Sequence, residues 1–229
     1  MSRIYERFWR PVPTGDVAER VYAVRVGSVN MFLYSDGEHT LGIDSTSSAE
    51  AVLAEIQHLS VAPVTHLFLT HTDVDHAGGL AAFPEGQIYL SEDEERMIDG
   101  TTPRMFGVYR NRPLGRPYTL LTDGDVITIG SIRVQAIATP GHTPGSMSYR
   151  VDDGVLFTGD TLTLRDGRVQ TFYRLFNMDT ATQRQSIGKL AQLEGISILC
   201  TAHTGYTTDY NTAMEHWREQ TAVAEVERT

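Results

Sequence analysis

Cysteine is nearly absent, with Cys200 the only one in 229 residues. That excludes an internal disulfide and a cysteine-rich zinc site, and it suits a reducing compartment. No apolar run reaches the length of a membrane span. The stretch from Met1 to Arg10 also lacks the continuous apolar segment and small-residue cleavage site of a signal peptide. These absences predict a cytoplasmic protein without membrane association. Positive charge is in deficit too, with 19 Lys and Arg against 29 Asp and Glu, a net −10. Nonspecific nucleic-acid binding depends on Lys and Arg neutralising phosphates, so no nucleic-acid partner is expected. A phosphoester substrate stays open, because bound divalent cations would reverse the local field.

Hydrophobic residues make up 41% of the chain and charged residues 21%, enough for a substantial core without a disordered segment. The length predicts one domain over residues 1–229. Residues 21–26, 30–35 and 40–44 read as strands, and residues 48–59 carry apolar positions at helical spacing behind Ser47 and Ser48. A strand over residues 64–69 then leads to the most unusual stretch in the chain. After it, a strand is expected over residues 87–90, and Ser91 to Glu94 has the pattern of a capping box opening a short helix. Residues 99–118 show no periodicity and read as a loop or broken helix. Strands follow at about 125–129, 132–138, 147–151 and 155–158, then a helix over 180–193, a strand over 196–201 and a helix from residue 211. This order predicts an α/β fold, a sandwich of two mixed β-sheets with helices outside.

The unusual stretch is Thr70-His71-Thr72-Asp73-Val74-Asp75-His76-Ala77-Gly78-Gly79, in which four metal-ligand side chains fall between residues 71 and 76. Such density is costly in a core and suited to a metal site. Further ligand types follow strand-like runs. His142 lies in Pro140-Gly141-His142-Thr143-Pro144-Gly145, Asp160 ends Thr158-Gly159-Asp160, and His203 follows the run from Ile196 to Cys200. Asp44 also follows a strand and could orient a ligand histidine from behind. His39, His58, His66 and His216 stand apart from the pattern and read as structural or solvent-facing. Gly78 and Gly79 suggest close backbone approach at a helix start, and Cys200 reads as a small buried apolar residue.

These five motifs, in this order over roughly residues 20–210, resemble the metallo-β-lactamase-fold superfamily. The resemblance implies a four-layer αββα sandwich with a dinuclear site between two mixed sheets. It implies His71 and His142 as ligands of a first metal, with Asp73 where the family usually has its second histidine. It further implies Asp75, His76 and His203 at a second metal, with Asp160 bridging. The cofactors implied are two divalent ions, zinc first. Asp73 adds charge and an oxygen donor, so iron or manganese also enters consideration. The alternative is that Asp73, shorter than glutamate, only hydrogen-bonds a metal-bound water or a neighbouring histidine, leaving a single metal.

The implied activity is hydrolysis through a metal-bound hydroxide of a small ester, lactone, thioester or related small-molecule substrate, with Asp75 holding or deprotonating the water. Two alternatives accompany it: a non-haem iron oxidoreductase on the same fold, prompted by Asp73, and a weakly catalytic metal-binding protein. Glyoxalase-II-like activity is disfavoured because no thioester-recognising helical extension is recognised, and β-lactamase activity is open but not favoured without a secretion signal. Two aromatic and arginine-rich segments are expected to meet substrate. One contains Arg104, Met105, Phe106, Tyr109, Arg110, Arg112, Arg116 and Tyr118, and the other runs from Phe172 to Phe176. A homo-oligomer is left open.

Overall fold

The computed structural model describes residues 8–104, 107, 109–152 and 154–226. Seven strands form the first sheet: β1 (Gly15–Ala18), β2 (Val21–Val26), β3 (Val29–Ser35), β4 (Thr40–Ile43), β5 (Val64–Phe68), β6 (Gln87–Ser91) and β7 (Thr119–Leu121). They lie side by side in chain order, antiparallel from β1 to β4 and parallel from β4 to β7. The second sheet has the order β15-β14-β11-β10-β9-β8. Its strands are β8 (Val126–Ile129), β9 (Ile132–Ala138), β10 (Met147–Val151), β11 (Val155–Phe157), β14 (Ile198–Thr201) and β15 (Gly205–Thr207). Only β11 and β14 pair in parallel. Both sheets are therefore mixed, as the sequence predicts.

Burial explains the layering. Phe32, Ile43, Phe68 and Tyr89 of the first sheet share one apolar cluster with Val134, Tyr149, Phe157 and Cys200 of the second. The opposite face of the first sheet packs Leu33, Leu67 and Ile88 against Val52 of helix α1 (Ala49–Ile56). The opposite face of the second packs Leu156 and Leu199 against Ile187 and Leu190 of α4 (Thr180–Ala191) and Met214 and Trp217 of α5 (Tyr210–Val226). Apolar residues on both faces of each sheet demand cover on both sides, which yields the αββα order. Cys200 is buried in the central layer, as expected.

Three features depart from the sequence reading. A separate two-stranded sheet, β12 (Leu162–Arg165) with β13 (Arg168–Thr171), turns at Asp166 (φ 50°) and Gly167 (φ 73°). Asp-Gly between short apolar runs is the usual signal of a two-residue hairpin. Edge strands β1, β7 and β15 were not expected, since three or four residues carry too little alternation to register. The one-turn helix α2 (Val74–Ala77) before β6 was not expected, whereas α3 (Glu95–Ile98) after it is the short helix that Ser91 to Glu94 predicts. Gly78 closes α2, and Gly79 stands at the start of a 3-10 turn over Leu80–Ala82, the helix start that the sequence suggests. A Cβ on Gly79 would lie 1.9 Å from the Ser45 carbonyl oxygen, so the close approach is real.

Candidate metal centre

The loops leaving β4, β5, β9, β11 and β14 meet at one edge of the sandwich and carry Asp44, His71, His142, Asp160 and His203 in turn. Because β4 and β5 are parallel neighbours, and β11 and β14 likewise, their C-terminal ends share an edge. One-turn helix α2 adds Asp75 and His76, with Asp73 at its N-cap. At Gly159 the backbone takes φ 51°, and a Cβ there would lie 2.3 Å from Thr70 Oγ1, so glycine lets the Asp160 loop press against the His71 loop.

All seven predicted ligand residues converge. Asp73 Oδ2 lies 3.6 Å from His71 Nε2 and 3.5 Å from His142 Nε2. Asp75 Oδ2 lies 3.4 Å from His203 Nε2 and 3.8 Å from His76 Nε2. Asp160 faces both groups, with Oδ1 at 3.3 Å from His203 and 3.6 Å from His76, and Oδ2 at 3.5 Å from His142. Nitrogen and oxygen ligands about 2.0–2.1 Å from a tetrahedral ion stand about 3.3–3.4 Å from one another, so these separations suit a shared ion better than direct hydrogen bonds. The triads His71–Asp73–His142, His71–His76–Asp160 and Asp75–His76–His203 could each hold one.

Orientation supports that reading. Each histidine turns Nδ1 toward an oxygen: His71 to Thr70 Oγ1 at 3.1 Å, His76 to Asp44 Oδ2 at 2.8 Å, His142 to Asn177 Oδ1 at 3.2 Å and His203 to the Ser28 carbonyl at 2.7 Å. Thr70 donates its hydroxyl hydrogen to Asp44, leaving a lone pair for His71. With Nδ1 as donor, each Nε2 lone pair points inward. Nε2 of His71 and of His76, and Oδ1 of Asp160, are buried without a hydrogen-bond partner. An unpaired buried polar atom costs about 1–3 kcal/mol. Three aimed at one space fit a cation there.

The charges are uneven. Burial dominates at His71 and lowers its pKa to about 4, so it is a neutral donor at neutral pH. At His203 burial opposes protonation, but Asp160 and Asp75 outweigh it and raise the pKa to about 9. His76 is likewise raised well above its usual value, against burial, by Asp160, Asp44 and Asp75. Burial would raise Asp75, but His76 and His203 hold it down to about 2. In the metal-free protein, protons on His76 and His203 therefore stand in for a cation. A raised folded-state pKa stabilises fully below the unfolded value of 6.5 and loses that contribution as pH climbs through 9. Urea unfolding of the metal-free protein should show stability falling between those pH values by about 3 kcal/mol, with the fall absent after zinc loading. A flat metal-free profile would contradict this assignment.

Asp44 lies behind His76 as expected, and it also accepts from the Thr70 backbone N–H at 2.8 Å. Glu94 was missed as a site residue. The capping-box pattern predicts a local bond, and Ser91 does cap Asp93 N. Glu94, however, turns inward to accept from Thr72 N and Thr72 Oγ1, both at 2.8 Å, and from Thr143 Oγ1 at 2.7 Å. It thus ties the loop of His71 and Asp73 to the loop of His142. Glu94→Ala should cost about 3 kcal/mol by stranding the Thr72 N–H and both hydroxyls, whereas Glu94→Gln keeps an acceptor and should cost less. Denaturant midpoints rank the two, and equal midpoints would refute the tie.

The arginine-rich segment divides. Arg116 donates to the carbonyls of Leu80, Phe83, Pro84 and Gly86, and Tyr118 bonds Glu95, so both are structural. Arg110 bonds the Gly100 carbonyl, and Tyr109 accepts from Val74 N. Arg104 is buried against Asp73. Met105 and Phe106 lie outside the described residues. In the second segment, Phe172 packs between His142 and His203, while Leu175 and Phe176 are exposed, as is Met178 just beyond it. Trp9, unexpected from sequence, packs at a tilt against His203, with ring centroids 4.6 Å apart. His58 and His216 are exposed, His39 pairs with Asp36, and His66 stacks on Tyr89, all away from the ligand groups.

A four-layer αββα sandwich with clustered His and Asp ligands at the strand ends defines a class of metal-binding fold. A family profile described as the metallo-beta-lactamase superfamily matches residues 24–203, and the chain belongs to that superfamily. It is similar to protein YobT of Bacillus subtilis, 34% identical over 155 residues, 61% of this chain and 64% of YobT. It is also similar to a hydroxyacylglutathione hydrolase of Gloeobacter violaceus, 30% identical over 176 residues, 75% of this chain and 61% of that enzyme. The match thus spans less than two thirds of either relative. The fold is similar to that of a B3 metallo-beta-lactamase with an active-site glutamic acid, at a TM-score of 0.70 and 22% identity over 100% of this chain and 97% of the other. No helix among the described residues is long and apolar enough to cross a membrane.

Proposed function

We propose that the chain is a divalent-metal-dependent hydrolase of a small ester, lactone or thioester. The observation that carries this reading is the two-sided placement of Asp160, one oxygen toward His76 and His203 and the other toward His142, among inward-pointing Nε2 atoms without partners. His71, Asp73 and His142 would hold one ion and Asp75, His76 and His203 the other, with Asp160 facing both groups. Zinc is the ion the superfamily typically uses. Bound divalent ions supply Lewis acidity and bring the pKa of a water to about 7.

The chain's own groups set the rest. Asp75 is ionised throughout the neutral range and its side chain is 39% exposed, the most open of the set, so its carboxylate is placed to accept a proton from an attacking water. Phe172 and Trp9 cover His142 and His203 and limit water access from that side. A cavity of about 560 Å³, lined by Arg104, Arg174, Leu175, Phe176 and Met178 among others, adjoins His142 through Asn177 and suits an apolar acyl group with an anionic end. An acyl-glutathione thioester, the substrate type in the name of the Gloeobacter relative, has that character.

The test is zinc-loaded protein assayed on carboxyl esters, lactones, acyl-glutathione thioesters and phosphoesters. Hydrolysis that disappears with chelator and returns with zinc is expected. The iron oxidoreductase alternative draws on the oxygen donor of Asp73. Two iron atoms per chain, oxygen consumption and no hydrolysis across the panel would replace our reading with that one.

A further inference from the structure

Arg104 comes from an irregular segment, yet only 4% of it is exposed. Its Nη1 lies 3.0 Å from Asp73 Oδ2, the same oxygen that faces His71 and His142. Its Nη2 lies 3.4 Å from His142 Nε2 and donates to the Phe176 carbonyl, and Nη1 reaches the His142 carbonyl at 3.4 Å. A guanidinium offers only donors and stays charged. Both contacts with the triad therefore engage lone pairs that an ion at His71, Asp73 and His142 requires. Among the described residues, no arginine or lysine pairs with Asp75 or Asp160.

We propose that Arg104 and a divalent ion compete for Asp73, so that the His71–Asp73–His142 position is weaker and exchangeable while the Asp75–His76–His203 position, sharing Asp160, holds its ion tightly. The inference rests on the metal-site reading above.

Three considerations support it. Asp73 and Arg104 together carry no net charge, so the carboxylate attracts a divalent ion less than an unpaired one would, and the guanidinium repels the ion directly. Arg104 is buried and the Asp73 side chain only 15% exposed, so water screens the pair weakly. The guanidinium also has somewhere to move, because Arg104 lines the cavity of about 560 Å³ beside Arg174, Leu175 and Met178. Asn111 Nδ2 holds the other Asp73 oxygen at 3.2 Å, which keeps Oδ2 between the two competitors.

The experiment titrates zinc into the chelator-stripped full chain against a chromophoric competitor. One tight ion and a second bound at least tenfold more weakly are expected. R104Q should tighten the weak ion tenfold or more and leave the tight one unchanged. D73A should abolish the weak ion and spare the tight one, and H203A should do the reverse. If R104Q does not fold, R104K carries the test, since it keeps the charge but loses the two-nitrogen fork; a smaller tightening is expected. Two equally tight ions in the native chain, or no tightening in the folded Arg104 variant, overturns the proposal. Binding of no ion at all overturns the metal-site reading instead.

Discussion

Asp160→Asn is expected to lower hydrolysis by about a thousandfold or more and to reduce the ion content of the purified protein. The substitution preserves volume, so the Asp160 loop should keep its place against Thr70. It replaces one of two carboxylate oxygens by an N–H₂ donor. That donor must face either His142, or His76 and His203, since the carboxylate now reaches 3.5 Å one way and 3.3 and 3.6 Å the other. Either choice points N–H toward lone pairs meant for a cation and removes one negative charge. A thousandfold is about 4 kcal/mol, in line with the several kcal/mol of charge stabilisation assigned to a Lewis-acid centre. The metal-free protein should respond as well. Asp160 is the largest influence raising His76 and His203 against burial, so in the variant both should titrate lower and the fall in stability above pH 6.5 should be smaller and end at lower pH. Steady-state rates on the hydrolysed substrate and elemental analysis together check the expectation. Activity within tenfold of the native chain at unchanged ion content would remove Asp160 from its shared role.

What the sequence showed about this site follows from the chemistry of its parts. Metal ligation demands His and Asp, and the fold delivers them just after strands. His71, His142, Asp160 and His203 could therefore be found as ligand types following apolar runs. The sandwich was legible because β2, β3, β9 and β10 are five to seven residues long and bury alternating or continuous apolar faces. The supporting groups were harder. Glu94 has a pattern that fits a local helix cap, and sequence alone does not distinguish a carboxylate bonding its own turn from one reaching Thr72 and Thr143. Arg104 sits in a segment without periodicity, so nothing along the chain signals that it closes on Asp73. Trp9 meets His203 across nearly the whole chain. The hairpin at Asp166-Gly167 is a different case, since its turn signal was present and its flanking runs were simply short.

Asp44 is the exception among the supporting groups, legible in sequence and confirmed in position, and it carries the second large prediction. Asp44→Ala should weaken zinc binding at the His76 position by about 10- to 100-fold and destabilise the metal-free protein by about 3–5 kcal/mol. Asp44 is 1% exposed and has three partners: the Thr70 backbone N–H, the Thr70 hydroxyl and His76 Nδ1. Alanine strands a buried N–H and frees the His76 ring to rotate, so Nε2 no longer points reliably at the cluster. Backbone conformation adds to the loss, because residue 44 adopts φ 65°, a region aspartate tolerates through local hydrogen bonding and alanine does not. Asp44→Asn separates the two contributions. Its carbonyl oxygen can still accept from Thr70 N, and asparagine tolerates the left-handed backbone, so most of the stability should remain. His76 nevertheless loses the negative charge behind Nδ1 and becomes a poorer donor. The asparagine variant should thus bind zinc more weakly while unfolding near the native midpoint. Chelator competition and urea unfolding resolve the two effects, and equal zinc affinity in all three proteins would show that His76 is oriented without Asp44.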